Sequence, residues 1–387
     1  MSVVIVGTVG IDDIATPTGQ VTRVLGGSGT YAALAARLFA PTALVSVVGT
    51  DFPEAHRQLL EGRGVDLAGL DVVEGETFRW GGRYHEDLNT RDTEFVELNV
   101  VTEFTPRIPA TNADFIFVGN IEPGIQLSVM EQLDPAAFVA TDSMDHWIRG
   151  QSAELAEVFR RSALVVLNDQ EARMFSRETR VPKAVGPILA LGPQAVAVKL
   201  GEYGAVLAAD DEWFFAPGYP LPEVVDPTGA GDAFAGAMLG SLAEAGAFGR
   251  GRGGDGGVDS RIRGNDGPDD PSPQPSPARG EGAGPDDPSP QPSPAGGEGA
   301  GPEDPHPNPP PARGREPDPA RGRGPDNSPV YPPLDKGKGR DDLRRAIVYG
   351  SVAASFTVEA FGVERLAAVT REDVEARYAE FKRLVAF

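Results

Sequence analysis

Short, continuous apolar runs recur along the chain, separated by stretches of helical composition. Val3 to Val6, Leu44 to Val48, Phe115 to Val118, Phe138 to Ala140, Leu164 to Leu167 and Ala195 to Lys199 each read as a strand buried on both faces. Asp51 to Glu61 reads as a helix, and Arg371 to Leu384 as a closing surface helix. Repeated βα units of this kind predict an α/β fold, with a mostly parallel, doubly wound sheet carrying helices on both faces. One region departs from the pattern. Thr77 to Tyr84 and Thr93 to Val100 alternate polar with apolar residues, which predicts half-exposed strands around a loop at Asp87 to Arg91. This hairpin, within about 72–101, is a candidate lid. The stretch after the first apolar run, GTVGIDDIATP, reads as a loop.

Composition divides the chain. From about Gly249 to Arg340 it is Gly, Pro, Asp, Ser and Arg with hardly a large apolar residue, and 22 of the 36 prolines fall between Pro268 and Pro333. PDDPSPQPSPARGEGAG from Pro268 is repeated almost unchanged from Pro285, and a decayed copy starts at Pro302. The repeat lacks the apolar positions that stacked repeats bury, so it cannot offset its ordering entropy. Residues 249–340 are expected to be a disordered insertion. Residues 1–248 plus 341–387 are expected to form one domain, in which Asp341 restarts a helix running through Phe356.

The formal charge is −22, with 57 acidic against 35 basic residues and no cysteine. That argues against sequence-independent nucleic-acid binding, which needs a basic face. It also excludes disulfides and thiolate metal sites. No apolar run reaches the roughly 20 residues that span a bilayer, and the first residues read as a strand. No nucleic-acid or membrane partner is expected, and the expected location is cytoplasmic.

The chemistry concentrates in VVDPTGAGDAFAGAMLG, Val224 to Gly240. Pro227 ends a strand. Gly229 and Gly231 allow a tight turn and close approach of a ligand. The following helix then offers unpaired N–H groups at its positive end, an anion site. A carboxylate there, Asp232, would repel a phosphate unless it takes a proton from a hydroxyl attacking that phosphate. The alternative is a glycine turn with a capping aspartate. A second glycine loop, Gly26-Gly27-Ser28-Gly29, opens another helix and matches neither a dinucleotide fingerprint nor a Walker A loop. Polar residues end the predicted strands: Asn120, Asp142, and Asn168 with Glu171.

DPTGAGDAFAGAMLG resembles the C-terminal signature of the ribokinase-like (PfkB) carbohydrate and nucleoside kinases, and the Gly26-Gly27 loop is similar to that family's N-terminal glycine pair. The resemblance implies a ribokinase-like fold with a small β lid. It implies an ATP-dependent transfer of the γ-phosphate to an alcohol of a sugar or nucleoside. Asp232 would be the base, and the amides of Gly229, Ala230 and Gly231 the anion hole. Asp12, with Asp13 as the lesser candidate, would hold substrate hydroxyls alongside Gly26, Gly27 and Asn120. Asn168, Lys199, Gly201, Gly204 and Thr228 would face ATP, with Glu171 near the water shell of Mg²⁺. Asp226 matches the first position of a monovalent-cation (K⁺) site. A homodimer paired through the lid is implied as well. Gly350-Ser351 stands where many members carry an asparagine near the adenine. The rival reading is a catalytically silent sugar- or nucleoside-binding protein on the same fold. A dinucleotide-dependent oxidoreductase lacks its fingerprint loop.

Overall fold

The computed structural model describes residues 1–108, 113–209, 211–247 and 337–385. The chain divides into two compact units, Met1–Arg252 with Asn327–Phe387, and Gly253–Asp326. The second unit, and with it nearly all of the predicted insertion, lies outside the described residues.

In chain order the first unit runs β1 (Ser2–Val6), β2 (Gly10–Thr16), β3 (Gly19–Gly26), α1 (Ser28–Ala36), β4 (Thr42–Gly49), α2 (Glu54–Gly62) and β5 (Val65–Val73). It continues with β6 (Phe78–Tyr84), β7 (Arg91–Glu97), β8 (Ala113–Val118), α3 (Pro123–Met130), β9 (Phe138–Thr141), α4 (Asp145–Gly150) and α5 (Ser152–Arg160). Then come β10 (Leu164–Asn168), α6 (Asp169–Ser176), α7 (Val181–Leu189), β11 (Ala195–Lys199), β12 (Ala205–Ala209) and β13 (Glu212–Ala216). Four helices close it: α8 (Ala230–Ala245), α9 (Lys338–Thr357), α10 (Glu364–Ala368) and α11 (Arg371–Leu384).

Nine strands form the main sheet in the order β13-β12-β11-β10-β9-β8-β1-β4-β5. Every pair from β11 to β5 is parallel, and only the β11-β12-β13 edge is antiparallel. Val3, Ile5, Phe115 and Phe117 on one face, and Val4, Val6, Ile116 and Val118 on the other, fall in separate buried clusters. This two-sided burial is why these strands read as unbroken apolar runs.

A second sheet has the order β3-β2-β6-β7. The expected lid hairpin is therefore half of a four-stranded sheet. The stretch taken as a loop, Gly10 to Thr16, is its central strand. The register slips between Asp12 and Ile14, with the extra residue on β3. Strand β2 itself hides its two-residue period because Asp12 is a buried carboxylate on the face of Ile14, while Ile11 and Ala15 are buried on the other face. The sheet also gains β3, whose polar residues and left-handed Arg23 (φ 54) gave no strand signal.

Helices α1 and α8 cross in backbone contact. A Cβ on Gly236 would overlap the Ala32 carbonyl oxygen, and one on Gly240 would stand 2.7 Å from the Ala36 oxygen. This packing brings both glycine loops to the same end of the sheet. On its other side α8 meets α9, where Gly350 admits the Phe234 ring.

The break between α8 and α9 spans little distance, because Lys338 Nζ reaches the Ala245 carbonyl at 3.0 Å. Helix α9 begins three residues before the predicted Asp341. Excising residues 251–336 behind a short Gly/Ser linker shortens this loop by about three halvings, each worth ~0.6 kcal/mol of closure entropy. The expected result is a folded domain with a melting temperature a few degrees higher by scanning calorimetry. A lower melting temperature would show that the segment packs on the domain.

Candidate active site

The residues expected to act together converge at the C-terminal ends of the parallel strands, where open α/β sheets bind ligands. Pro227 ends the approach to α8. Gly229 takes the left-handed conformation (φ 73) at the helix N-cap, and a Cβ there would run into the Tyr31 ring. Of the three amides expected to form the anion hole, that of Ala230 donates to the Pro227 carbonyl at 3.3 Å. Lys199, at the end of β11, lays its ammonium over the turn, 2.8 Å from where a Cβ on Gly231 would stand.

Asp232 sits in the first turn of α8 with partial access to the cleft. Burial pushes its carboxyl up, while the Lys199 ammonium and the Arg91 guanidinium pull it back. A carboxylate raised by burial and held beside two cations is suited to accept a proton.

Asp12 does not stand in a loop just past β1. It lies within β2, buried (3% exposed) against the first glycine loop. Its carboxylate fills the space that a Cβ on Gly26 would need, and it accepts the Gly27 amide. Gly27 has φ 91 and caps α1. Both glycines are thus explained by one carboxylate and one turn. Burial raises the Asp12 pKa to about 8, with Asp226, Asp232 and Asp13 adding repulsion. Asp13 points the other way, accepting the Arg23 amide at 2.7 Å and facing Arg79 at 3.3 Å.

The folded protein therefore holds a proton on Asp12 that the unfolded chain releases above about 3.8. Between that value and about 8 the native state binds more protons, so stability falls as pH rises, by at most ~1.4 kcal/mol per pH unit for one such group. Urea unfolding at pH 5.5 and 7.5 should show the wild type weaker at the higher pH. The difference should shrink in Asp12→Asn; an equal difference in both proteins would contradict the assignment.

Asn168 and Glu171 form a reciprocal cap on α6. The Asn168 amide donates to Glu171 Oε2 at 2.8 Å and the Glu171 amide to Asn168 Oδ1 at 2.8 Å. Burial raises the Glu171 carboxyl and Lys199 opposes it. Near it Asp142 directly follows β9, buried, with Oδ1 lacking a hydrogen-bond partner among the described residues. Burial, then the Asp232 charge, hold Asp142 well above the usual carboxylate range. Among the described residues no group of three or more His, Cys, Asp or Glu forms a metal cage. Two carboxylates and an amide at a cleft suit Mg²⁺ that keeps its own waters.

Asp226 is fully buried, and both of its oxygens are engaged, Oδ1 by the Thr228 amide at 2.9 Å and Oδ2 by the Gly362 amide at 2.8 Å. As it stands, that side chain ties the loop before α8 to the turn after α9. Asn120 lies at the end of β8 and accepts the Trp147 indole N–H at 3.1 Å.

A cavity of about 360 Å³ runs from Lys199, Gly201 and Gly204 past Ala230 and Gly231 to Phe234, Ser351 and Ser355. Gly201 (φ 61) and Gly204 (φ 99) turn the backbone along its wall. The lid reaches this cavity. Asp87, Leu88 and Asn89 line it, and a Cβ on Gly201 would lie 2.8 Å from Asn89 Oδ1. On the lid surface Arg83 pairs with Glu94 and His85 with Asp92, whereas Arg91 acts on Asp232 and Tyr84. Tyr84 was not expected here: its buried hydroxyl accepts that of Thr228 at 3.2 Å. An aromatic residue in an alternating strand reads as core, so the sequence carried no signal for it.

Residues 2–255 match the pfkB family of carbohydrate kinases, and the chain belongs to that family. It is a carbohydrate or nucleoside kinase. A cytidine kinase of Thermococcus kodakarensis is 30% identical over 249 residues, 62% of this chain and 87% of that protein. Among solved structures, a nucleoside kinase of Burkholderia thailandensis in complex with inosine is similar, with a TM-score of 0.64 at 15% identity, over 100% of this chain and 98% of that one. A putative ribokinase II of E. coli in complex with ATP and Mg²⁺ has a TM-score of 0.53 at 20% identity, over 62% of this chain and 86% of that one. These likenesses show the ribokinase-like fold. Among the described residues no helix is long and apolar enough to cross a membrane.

Proposed function

We propose that this kinase transfers the γ-phosphate of ATP to a hydroxyl of a nucleoside. The observation that carries the reading is the placing of Asp232 and Lys199 together at the N-terminus of α8, beside the cavity. The cytidine kinase relative favours a nucleoside over a free sugar as acceptor.

Asp12, buried and poised to exchange a proton, holds acceptor hydroxyls together with the Gly26-Gly27 turn. Asp232 takes the proton from the attacking hydroxyl. The amides at Gly229 and Gly231, with the helix dipole, stabilise charge on the phosphoryl oxygens, where one donor is worth roughly 10²–10³ in rate. Lys199 neutralises charge that accumulates beside Gly231, Gly201 and Gly204 shape the same wall, and Thr228 ties the loop before α8 to Tyr84 of the lid. Bound Mg²⁺ supplies charge neutralisation on the phosphates, and Glu171, Asn168 and Asp142 are the residues that would hold its waters. A K⁺ ion at Asp226 would have to share oxygens already engaged by two amides, so K⁺ is expected to change turnover little against Na⁺. Pairing through the lid and a cytoplasmic location remain part of the proposal.

A coupled ADP-release assay over cytidine, inosine, adenosine, uridine, ribose and fructose tests it. Turnover with nucleosides is the expected result. Turnover confined to free sugars would remove the nucleoside reading, and binding without turnover would leave the silent binder.

A further inference from the structure

Tyr31 is used by no step above, yet it stands at the centre of the site. It lies in the first turn of α1, 1% exposed. Its ring is packed beneath the Gly229 turn, so that a Cβ on Gly229 would overlap ring atoms Cγ, Cδ1 and Cδ2. Its hydroxyl is buried and has no hydrogen-bond partner among the described residues. Burial, then the Asp12 charge, hold the phenol well above its ordinary range, with Asp226, Tyr84 and Asp232 adding to the effect. The group therefore stays a neutral O–H.

A buried hydroxyl without a partner carries its full desolvation cost, and phenylalanine would fill the same space without it. The neighbouring carboxylates do not supply the missing bond. Asp226 has both oxygens on backbone amides, and Asp12 takes the Gly27 amide. With its ring under the Gly229 turn and its helix opening from the Gly26-Gly27 loop that holds Asp12, the residue joins the two glycine loops of the site, and its hydroxyl keeps its proton and lone pairs unused. An alcohol, which both donates and accepts, satisfies such a group.

We propose that Tyr31 is a positioning residue of the acceptor site, whose hydroxyl bonds a sugar hydroxyl of the bound nucleoside while its ring braces the Gly229 turn. The inference rests on the kinase reading. It makes one side chain set both the seat of the acceptor and the shape of the anion-binding turn.

Tyr31→Phe in the full chain tests it, with cytidine and inosine as probes. The expected KM for the acceptor rises about tenfold, the order of one lost hydrogen bond to a buried partner. The KM for ATP stays near the wild-type value. The ligand-free melting temperature is unchanged or higher, and the upward shift caused by saturating acceptor is smaller. Tyr31→Leu, which also removes the brace, should lower kcat in addition. An unchanged acceptor KM and thermal shift in Tyr31→Phe, with an active wild type, overturns this inference alone. So does a parallel rise in both KM values with a lower melting temperature, which marks a structural role. A wild type that neither binds nor phosphorylates either nucleoside sinks the function reading first and this inference with it.

Discussion

Asp232→Asn should lower kcat by about 10²–10⁴, the range of a positioned general base, and leave acceptor affinity close to that of the wild type. The substitution keeps the shape of the side chain and removes one of the charges that burial makes costly. Asp142 and Asp12 both feel that charge. The variant should therefore unfold no earlier than the wild type, which separates lost chemistry from lost structure. Coupled ADP release gives kcat, and calorimetric titration with the acceptor gives affinity. Turnover at the wild-type rate would remove Asp232 from the mechanism and leave the phosphoryl cradle without its base.

Gly236→Val should cost ~3 kcal/mol or more of stability, by overpacking two helices that already touch through their backbones. The first added carbon would overlap the Ala32 carbonyl oxygen. Helices α1 and α8 would have to part, and they carry Tyr31 and Asp232 respectively. Activity should fall with stability. Gly124→Ala in α3 is the control, because nothing lies within 4 Å of the added carbon. There the gain in helix propensity, ~0.5–1 kcal/mol, should make the variant slightly more stable. Urea midpoints of the two variants compare them directly, and equal midpoints would show that the α1–α8 contact is not close.

The legible parts of this fold are those whose burial leaves a one-dimensional mark. Val3–Val6 and Phe115–Val118 are covered on both faces, so every residue is apolar, and both were readable. The glycine–aspartate run before α8 was readable because its turn, its dipole and its carboxylate sit within five residues. The rest depends on partners far away in sequence. Gly10–Thr16 reads as a loop because Asp12, a buried carboxylate, takes an inward position where an apolar residue would mark a strand. Val65–Val73 has one face exposed and a glycine within it. Glu212–Ala216 is an edge strand with Trp213 and Phe215 exposed. Tyr31 and Tyr84 look like ordinary core aromatics until the fold brings the Thr228 hydroxyl and the Gly229 turn against them. Asp142 could be placed in the crevice by its position at a strand end. Its unpartnered oxygen appears only when the neighbouring strands are in place.

The β6–β7 hairpin has its own bearing on how the two co-substrates meet. Tyr84, in the last pair before its turn, accepts from Thr228, and Asn89 in the turn rests on Gly201. A displacement of this hairpin wide enough to admit an alcohol also unseats Asn89 from the cavity wall at Gly201, the side proposed for ATP. The two reactants are then not kinetic strangers. Saturation with one should tighten the apparent grip on the other, so that double-reciprocal initial-rate lines cross above the abscissa instead of on it.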